Sequence, residues 1–260
     1  MEHIYWFSGL NTQDKDKYLY YIEMYSVAFI SALHTTPNIK PYLILDGEID
    51  EHIQKLIDKG LTVIKHKSLF YDDLVDHYKT DTIALGAYLR IDIPKVCEIL
   101  NIPNEYVLYT DNDVMFLDDV SELKNKTAKY FLCTGEGSQR FATNAINSGV
   151  MWINWKNMLS VYDDFVLFIK NNFNKFNVYD QDAIMQYFNS NIQELEYKYN
   201  YKPYWGESTD IKILHFHGPK PAHVNSKDTY PYKFMYTDFY YKMVEHYYKI
   251  YGENFGNKNS

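Results

Sequence analysis

Residues 106–114 of the chain, YVLYTDNDV, carry the pattern that decides the fold. Five residues with strand-forming side chains run directly into Asp111 and Asp113, two carboxylates separated by a single residue. Side chains at i and i+2 of an extended backbone leave the same face, so the two carboxylates can point at one spot. The pattern predicts a buried strand that ends in a site, because open α/β sheets bind ligands at the carboxyl ends of their strands.

The acidic pair at the end of this strand has two interpretations. Asp111 and Asp113 would repel each other unless a cation lies between them, and hard divalent ions such as Mg²⁺ and Mn²⁺ accept oxygen ligands. The other interpretation is an Asx-rich turn that only closes the strand, since Asp and Asn are common turn residues. The motif alone does not separate the two.

Strand and helix patterns alternate along the chain. The predicted strands are residues 4–7 (broken by Ser8-Gly9), 41–45, 61–64, 106–110, 129–134, 149–153 and 211–216. The predicted helices are residues 18–33, 51–59, 81–100 with a kink at Pro94, 162–171, 181–188 and 239–251. The regular alternation through residue 120 predicts parallel βαβ units and a Rossmann-like half. Residues 252–260 are polar enough to predict a disordered tail.

Size and composition limit the class of protein. At 260 residues the chain can form one large α/β domain or two small ones. A formal net charge of −8 argues against general nucleic-acid binding, which requires clustered positive charge. Cys97 and Cys133 both lie in apolar surroundings and are predicted to be buried, inert thiols. With no leader pattern and no long apolar run, we expect a cytoplasmic protein without a transmembrane segment.

Four further segments place polar residues beside apolar ones. They are AYLR (87–90), NSGVMWIN (147–154), DQD (180–182) and HFHGPKP (215–221). Together with the acidic pair, and in this order, they resemble the retaining glycosyltransferases of family 8, the group that includes glycogenin, galactinol synthase and bacterial lipooligosaccharide galactosyltransferases. The resemblance covers residues 1–225.

The resemblance implies a GT-A fold, in which a single α/β domain over residues 1–260 has a mixed, mostly parallel sheet flanked by helices. Residues 1–120 would form the nucleotide-binding half, 121–225 the acceptor and catalytic half, and 226–251 a helical aromatic segment. The resemblance also implies Mn²⁺, with Mg²⁺ as the alternative, and a UDP-sugar donor of glucose or galactose. The acceptor would be a glycan, a glycolipid or a glycoprotein. Neither its identity nor the oligomeric state follows from the sequence.

The resemblance also implies roles for individual residues. Asp111, Asp113 and His215 would bind the metal, and Asp180 and Gln181 would lie beside the anomeric carbon as catalytic residues. The donor would be bound by Ser8, Gly9, Asn11, Arg90, Asp111, Asn112, Asn147, Ser148, Gly218 and Lys220.

Structural roles for the same residues remain open. Arg90 could form a helix-surface ion pair with Asp92, and Asp180 could cap the helix that follows it. Asn147 and Ser148 could form a plain turn into a strand, and His215 could be an ordinary core histidine.

The chain also departs from the family pattern. The first strand ends in Ser8-Gly9-Leu10-Asn11, where the family commonly has Asp-Asp or Asp-Asn, so the identity of the base stays open. The loop at residues 215–221 is one residue shorter before Lys220 than the commonest spacing.

Two other functions compete with the transferase. A glycoside hydrolase also uses paired carboxylates, but an i, i+2 pair on one strand is too close for two opposed catalytic groups. A non-catalytic carbohydrate- or nucleotide-binding protein could share the fold. The presence of Asp111, Asp113 and His215 argues against this second alternative.

Overall fold

A seven-stranded mixed sheet forms the centre of the protein. The computed structural model describes residues 2–78, 83–137 and 141–256. The strand order is β3 (Thr62–Lys65), β2 (Ile39–Asp46), β1 (Ile4–Asn11), β4 (Tyr106–Thr110), β7 (Ile146–Asn154), β6 (Phe131–Gly135) and β8 (Gln193–Glu194). Only β7 runs antiparallel to its neighbours β4 and β6 among these paired strands. The predicted α/β class with a mixed, mostly parallel sheet is confirmed.

Helices cover both faces of the sheet. In the described residues they are α1 (Lys15–Thr35), α2 (Glu51–Ile57), α3 (Tyr71–Tyr78), α4 (Ile83–Tyr88), α5 (Ile93–Ile99), α6 (Trp155–Ser160), α7 (Tyr162–Asn172), α8 (Tyr179–Phe188) and α9 (Asp238–Phe255). Along β4, Val107 and Tyr109 join the core on one face, whereas Leu108 joins the core on the other. The strand is apolar without interruption because both of its faces are buried.

The structure corrects the predicted break in the first strand. β1 continues through Ser8 and Gly9 to Asn11. A Cβ at Gly9 would lie 3.0 Å from both the Gly86 carbonyl oxygen and the Leu89 Cβ. Gly9 is therefore a point of close approach between the strand and α4, not a strand end.

The predicted helix over residues 81–100 is divided into pieces. Residues 81 and 82 lie outside the described residues, α4 ends at Tyr88, and a 3₁₀ turn over Leu89–Asp92 leads into α5. Pro94 lies in the first turn of α5, where its missing N–H leaves no hydrogen bond unmade. The expected interruption at the proline is therefore confirmed as a new helix start.

A second, two-stranded sheet was not predicted. β5 (Val114–Phe116) follows the acidic motif directly and pairs antiparallel with β9 (Ile213–His215), with Val114 opposite His215. Helices α3 and α6 were also not predicted.

The C-terminal helix is longer than the sequence suggested. α9 extends four residues past the predicted end at residue 251, and Asn257–Ser260 of the predicted tail lie outside the described residues. Cys97 and Cys133 are buried as expected, and burial raises the pKa of both thiols. No helix within the described ranges combines the length and apolarity needed to cross a membrane.

Candidate active site

One pocket of about 450 Å³ opens at the carboxyl ends of β1 and β4. The motif after β4, the start of β7, the start of α8, the loop after β9 and parts of α1 and α4 contribute to its wall. The predicted residues that line it are Gly9, Asn11, Arg90, Asp111, Asn112, Asp113, Asn147, Ser148, Asp180, Gln181, His215 and Lys220.

A cluster of three possible metal ligands lies in this pocket. Asp111, Asp113 and His215 each offer one ligand atom, and these atoms lie within 4.8 Å of one another. Asp113 and His215 meet because β5 pairs with β9. A Cβ at Gly149 would lie 2.3 Å from the His215 Cε1 and 2.9 Å from an Asp111 carboxylate oxygen, so only glycine leaves room for the cluster.

The orientation of the His215 ring follows from its neighbours. Its Nδ1 lies 2.9 Å from the Asn200 Oδ1, and the Asn200 Nδ2 donates to the Asn147 Oδ1 at 2.8 Å. Because that Asn200 oxygen can only accept, the His215 Nδ1 donates to it, and Nε2 is the ring nitrogen that faces the cluster.

The His215 Nε2 lies 3.3 Å from an Asp113 oxygen. An imidazole nitrogen and two carboxylates are ligands that a divalent metal ion accepts, so the donor set of the cluster suits such an ion.

Arg90 connects the metal cluster to α8. Its Nη2 donates to Asp111 at 2.8 Å, and its Nε lies 2.8 Å from Asp180. The hydrogen bond from Nε goes to the Ala87 carbonyl at 3.0 Å, so the contact with Asp180 is an ion pair rather than a well-directed hydrogen bond. The alternative of a helix-surface ion pair with Asp92 is not found among the described residues, because Arg90 is buried and faces the pocket.

Lys220 contacts Asp113, the other carboxylate of the acidic pair. Its ammonium donates to Asp113 and, at 2.8 Å, to the Phe216 carbonyl. Burial opposes ionisation of Asp113, but Lys220 and His215 outweigh it and lower its pKa. Each carboxylate of the acidic pair therefore has a cationic partner from the protein itself, which offsets the repulsion expected from the sequence.

Asp180 has an unusual environment for a carboxyl group. Burial raises its pKa from the ordinary 3.8 to about 6, although the nearby Arg90 opposes this shift. The alternative role as a helix cap is not seen, because α8 begins without a side-chain cap; Asp182, in its first turn, accepts hydrogen bonds from the preceding N–H groups of Asn177 and Val178. The preceding Tyr179 has φ of +43°, a strained backbone for a residue other than glycine, beside the pocket.

Glu136 organises the remaining polar wall of the pocket. It accepts hydrogen bonds from the Asn147 Nδ2 at 2.7 Å and from the Gln181 Nε2 at 3.4 Å. The Gln181 Oε1 then accepts from the Ser148 N–H at 3.1 Å. An N–H can only donate and an ionised carboxylate can only accept, so this network determines how the Gln181 amide is oriented.

His217 belongs to the same network. Its Nε2 lies 2.7 Å from Glu136, and its Nδ1 lies 2.9 Å from the hydroxyl of Tyr204. Burial opposes ionisation of Glu136, but His217 and the other donors outweigh it and lower its pKa to about 2. Sequence reasoning missed Glu136 and Asn200. Glu136 had a usable signal, because it lies two residues after the predicted strand 129–134, whose carboxyl end meets this edge of the sheet.

Not every predicted donor-binding residue reaches the pocket. The Ser8 hydroxyl is fully buried and donates to the Thr110 carbonyl at 2.9 Å. Gly218 has φ of +93° and packs against the Met235 side chain, outside the pocket lining. The structure therefore does not bring Ser8 and Gly218 into the pocket wall. Asn112 donates to the Gly9 carbonyl at 2.8 Å, which ties the acidic motif to β1.

Comparison with solved structures identifies the fold. The galactosyltransferase LgtC, solved with donor and acceptor sugar analogues, matches 97% of this chain and 96% of its own with a TM-score of 0.68 and 15% identity. The glycosyltransferase GlyE of Streptococcus pneumoniae TIGR4 matches 100% of this chain and 67% of its own, with a TM-score of 0.63 and 16% identity. Mouse xyloside xylosyltransferase 1 matches 82% of this chain and 96% of its own, with a TM-score of 0.55 and 14% identity.

No protein-family model matches the chain, and no curated protein matches it by sequence. The chain has the GT-A fold of these glycosyltransferases. The fold that the sequence motifs predicted is therefore confirmed.

Proposed function

We propose that this chain is a metal-dependent retaining glycosyltransferase that moves a hexose from a UDP-sugar to a glycan, glycolipid or glycoprotein acceptor. The observation that carries the proposal is the cluster of Asp111, Asp113 and His215 inside a pocket of about 450 Å³. The pocket is large enough for a nucleotide-sugar. Glucose or galactose is the favoured donor sugar.

The metal-binding role fits the chemistry of the cluster. Two carboxylates and one neutral imidazole suit Mn²⁺, and Mg²⁺ is the alternative. When bound, the ion would neutralise charge that develops on the UDP leaving group. Asn200 orients the His215 ring, and Arg90 orients Asp111 through a hydrogen bond. Lys220, which pairs with the Asp113 oxygen that His215 does not contact, would contact the diphosphate of a bound donor.

Asp180 and Gln181 are proposed to act at the anomeric carbon. Asp180 in its ionised form would stabilise the positive charge of an oxocarbenium-like transition state, and Arg90 holds its carboxylate toward the pocket. The Gln181 amide is oriented by Ser148 and Glu136. In the retaining reaction the acceptor attacks on the face from which UDP leaves, and the acceptor proton passes to the departing diphosphate.

A panel of nucleotide-sugars tests the proposal, since slow donor hydrolysis can occur without an acceptor. We expect hydrolysis of a UDP-hexose with Mn²⁺ and none in excess chelator. Asp180→Asn should lower turnover by roughly a hundredfold or more while Mn²⁺·UDP affinity stays within a few-fold, because the residue would act on the transition state. Cleavage of free glycosides without any nucleotide-sugar would contradict the proposal and favour a hydrolase.

Product stereochemistry provides a second test of the mechanism. NMR of the product formed from an α-linked donor should show an α linkage. A β-linked product would overturn the retaining mechanism, because inversion requires a base on the face opposite the leaving group.

A further inference from the structure

A row of aromatic side chains lies beside the candidate active site, next to His217. Its members are Trp205, Tyr204, Phe234, Tyr232 and Tyr230, and we call this row the aromatic strip. Consecutive ring centroids along it are 6.2, 6.2, 6.2 and 6.5 Å apart. Neighbouring rings therefore contact each other edge to face along the whole row.

The strip exposes large apolar groups to solvent. Phe234 is 67% exposed and Tyr232 is 55% exposed, although aromatic side chains are usually buried. Among the side chains that the structure describes, the third exposed aromatic is Tyr197, whose ring lies 6.4 Å from Trp205. The exposed aromatic groups thus concentrate at one place, which is typical of a binding surface.

The strip is held in position by the loop that follows His215. The Tyr204 hydroxyl contacts the His217 Nδ1 at 2.9 Å, and His217 lines the pocket. Met235, next to Phe234, packs so closely on Gly218 that a Cβ there would lie 2.5 Å from its sulfur. Tyr204 and the neighbour of Phe234 thus both contact the loop that follows His215, so a ligand lying on these two rings would be close to the pocket.

We propose that the aromatic strip binds the acceptor, and that this acceptor is a carbohydrate chain whose sugar rings stack on Tyr204, Phe234 and Tyr232. The inference rests on the proposed function and narrows its acceptor class. A pyranose ring presents C–H groups on its faces and hydroxyl groups at its edge. Aromatic rings bind the faces, and tyrosine hydroxyl groups and water satisfy the edge. The terminal sugar of the chain would pass His217 to reach the donor.

A membrane surface is the alternative occupant of exposed aromatic groups. Attraction to anionic lipids requires an excess of Lys and Arg near the exposed rings, whereas this chain has a formal net charge of −8. Lys233, which lies between Tyr232 and Phe234, is itself 3.8 Å from Asp228. Continuity with the pocket and this charge balance favour the carbohydrate.

Saturation-transfer NMR tests the inference by direct binding. The full chain, loaded with Mg²⁺ and UDP, is presented with millimolar oligosaccharides of glucose, galactose and N-acetylglucosamine. We expect saturation of sugar ring protons in the parent protein, a roughly tenfold weaker affinity in Phe234→Ala, and near-parent affinity in Phe234→Tyr. Ile99→Ala is the matched control, because Ile99 is 73% exposed on α5 and should not change binding.

The possible outcomes separate this inference from the proposed function. Absence of binding to every oligosaccharide, or equal binding by the parent and Phe234→Ala, overturns the inference even if donor hydrolysis is found. Saccharide binding that depends on Phe234 supports the carbohydrate-binding role of the aromatic strip. If donor hydrolysis is then absent, only the proposed glycosyltransferase function is contradicted. Sedimentation with phosphatidylglycerol-containing vesicles that depends on Phe234, without saccharide binding, would assign the strip to a membrane and overturn the inference.

Discussion

At the scale of single residues, Gly149 shows how tightly the metal cluster is built. In Gly149→Ala the added methyl would lie 2.3 Å from the His215 ring and 2.9 Å from Asp111, so one of these ligands must move. We expect Mn²⁺ affinity, measured by titration calorimetry, to fall by about tenfold or more. Gly86→Ala is the control, because its nearest contact would be 3.8 Å away. Unchanged affinity in Gly149→Ala would show that the cluster is not the metal site.

Asp180 predicts a specific dependence of stability on pH. Its pKa is raised on folding from 3.8 to about 6, so the folded protein binds this proton more tightly than the unfolded chain. The resulting stability is present below pH 4 and is lost as the pH rises through 6. A pKa difference of this size corresponds to a change of roughly 3 kcal/mol in the free energy of unfolding.

Asparagine does not titrate in this pH range, so the Asp180→Asn variant should lack the loss of stability that the parent shows as the pH rises. We expect urea unfolding in the presence of chelator to show the variant gaining stability relative to the parent between about pH 4 and pH 6, with a constant difference above that range. If the difference in unfolding free energy between the variant and the parent is the same at all of these pH values, the pKa of Asp180 is not raised on folding.

At the scale of elements, the start of α9 is linked to the turn that carries Tyr204. The Thr237 hydroxyl accepts a hydrogen bond from the Tyr240 N–H at 3.1 Å and donates to the Pro203 carbonyl at 3.0 Å. Thr237→Val removes both bonds and should cost about 1 kcal/mol. In a thermal melt this corresponds to a decrease in Tm of roughly 2 to 4 °C.

The conservative variant Thr237→Ser keeps the hydroxyl and should melt close to the parent. If both variants lose stability equally, the threonine methyl group rather than the cap stabilises this junction.

At the scale of the whole molecule, ligand binding should appear as global stability. UDP at about 100 times its Kd adds about 2.7 kcal/mol to the free energy of unfolding, which for a chain of this size raises Tm by roughly 5 to 11 °C. We expect this shift only with Mn²⁺ or a similar divalent ion, because the cluster of Asp111, Asp113 and His215 would link the diphosphate to the protein. An equal shift in excess chelator would contradict the metal-bridging role.

The local patterns of the sequence determined the main elements. Apolar runs bounded by turn residues predicted the strands, and apolar residues at helical spacing predicted α1, α2, α7, α8 and α9, because these signals depend on near neighbours in the chain. The acidic pair at the end of β4 was placed correctly at the edge of the sheet, since the carboxyl ends of parallel strands define that edge.

Only the tertiary structure decided how the site is assembled. The pairing of β5 with β9 brings His215 beside Asp113, from which it is separated by about one hundred residues of sequence, and short-range patterns carry no information on such a contact. The same holds for Asn200, which orients the His215 ring, and for Glu136, which orients Gln181. The sequence by itself thus determined most of the strands and helices and the acidic motif. Long-range packing decided which polar groups meet, how burial shifts their pKa values, and that aromatic residues of two separate segments form one strip.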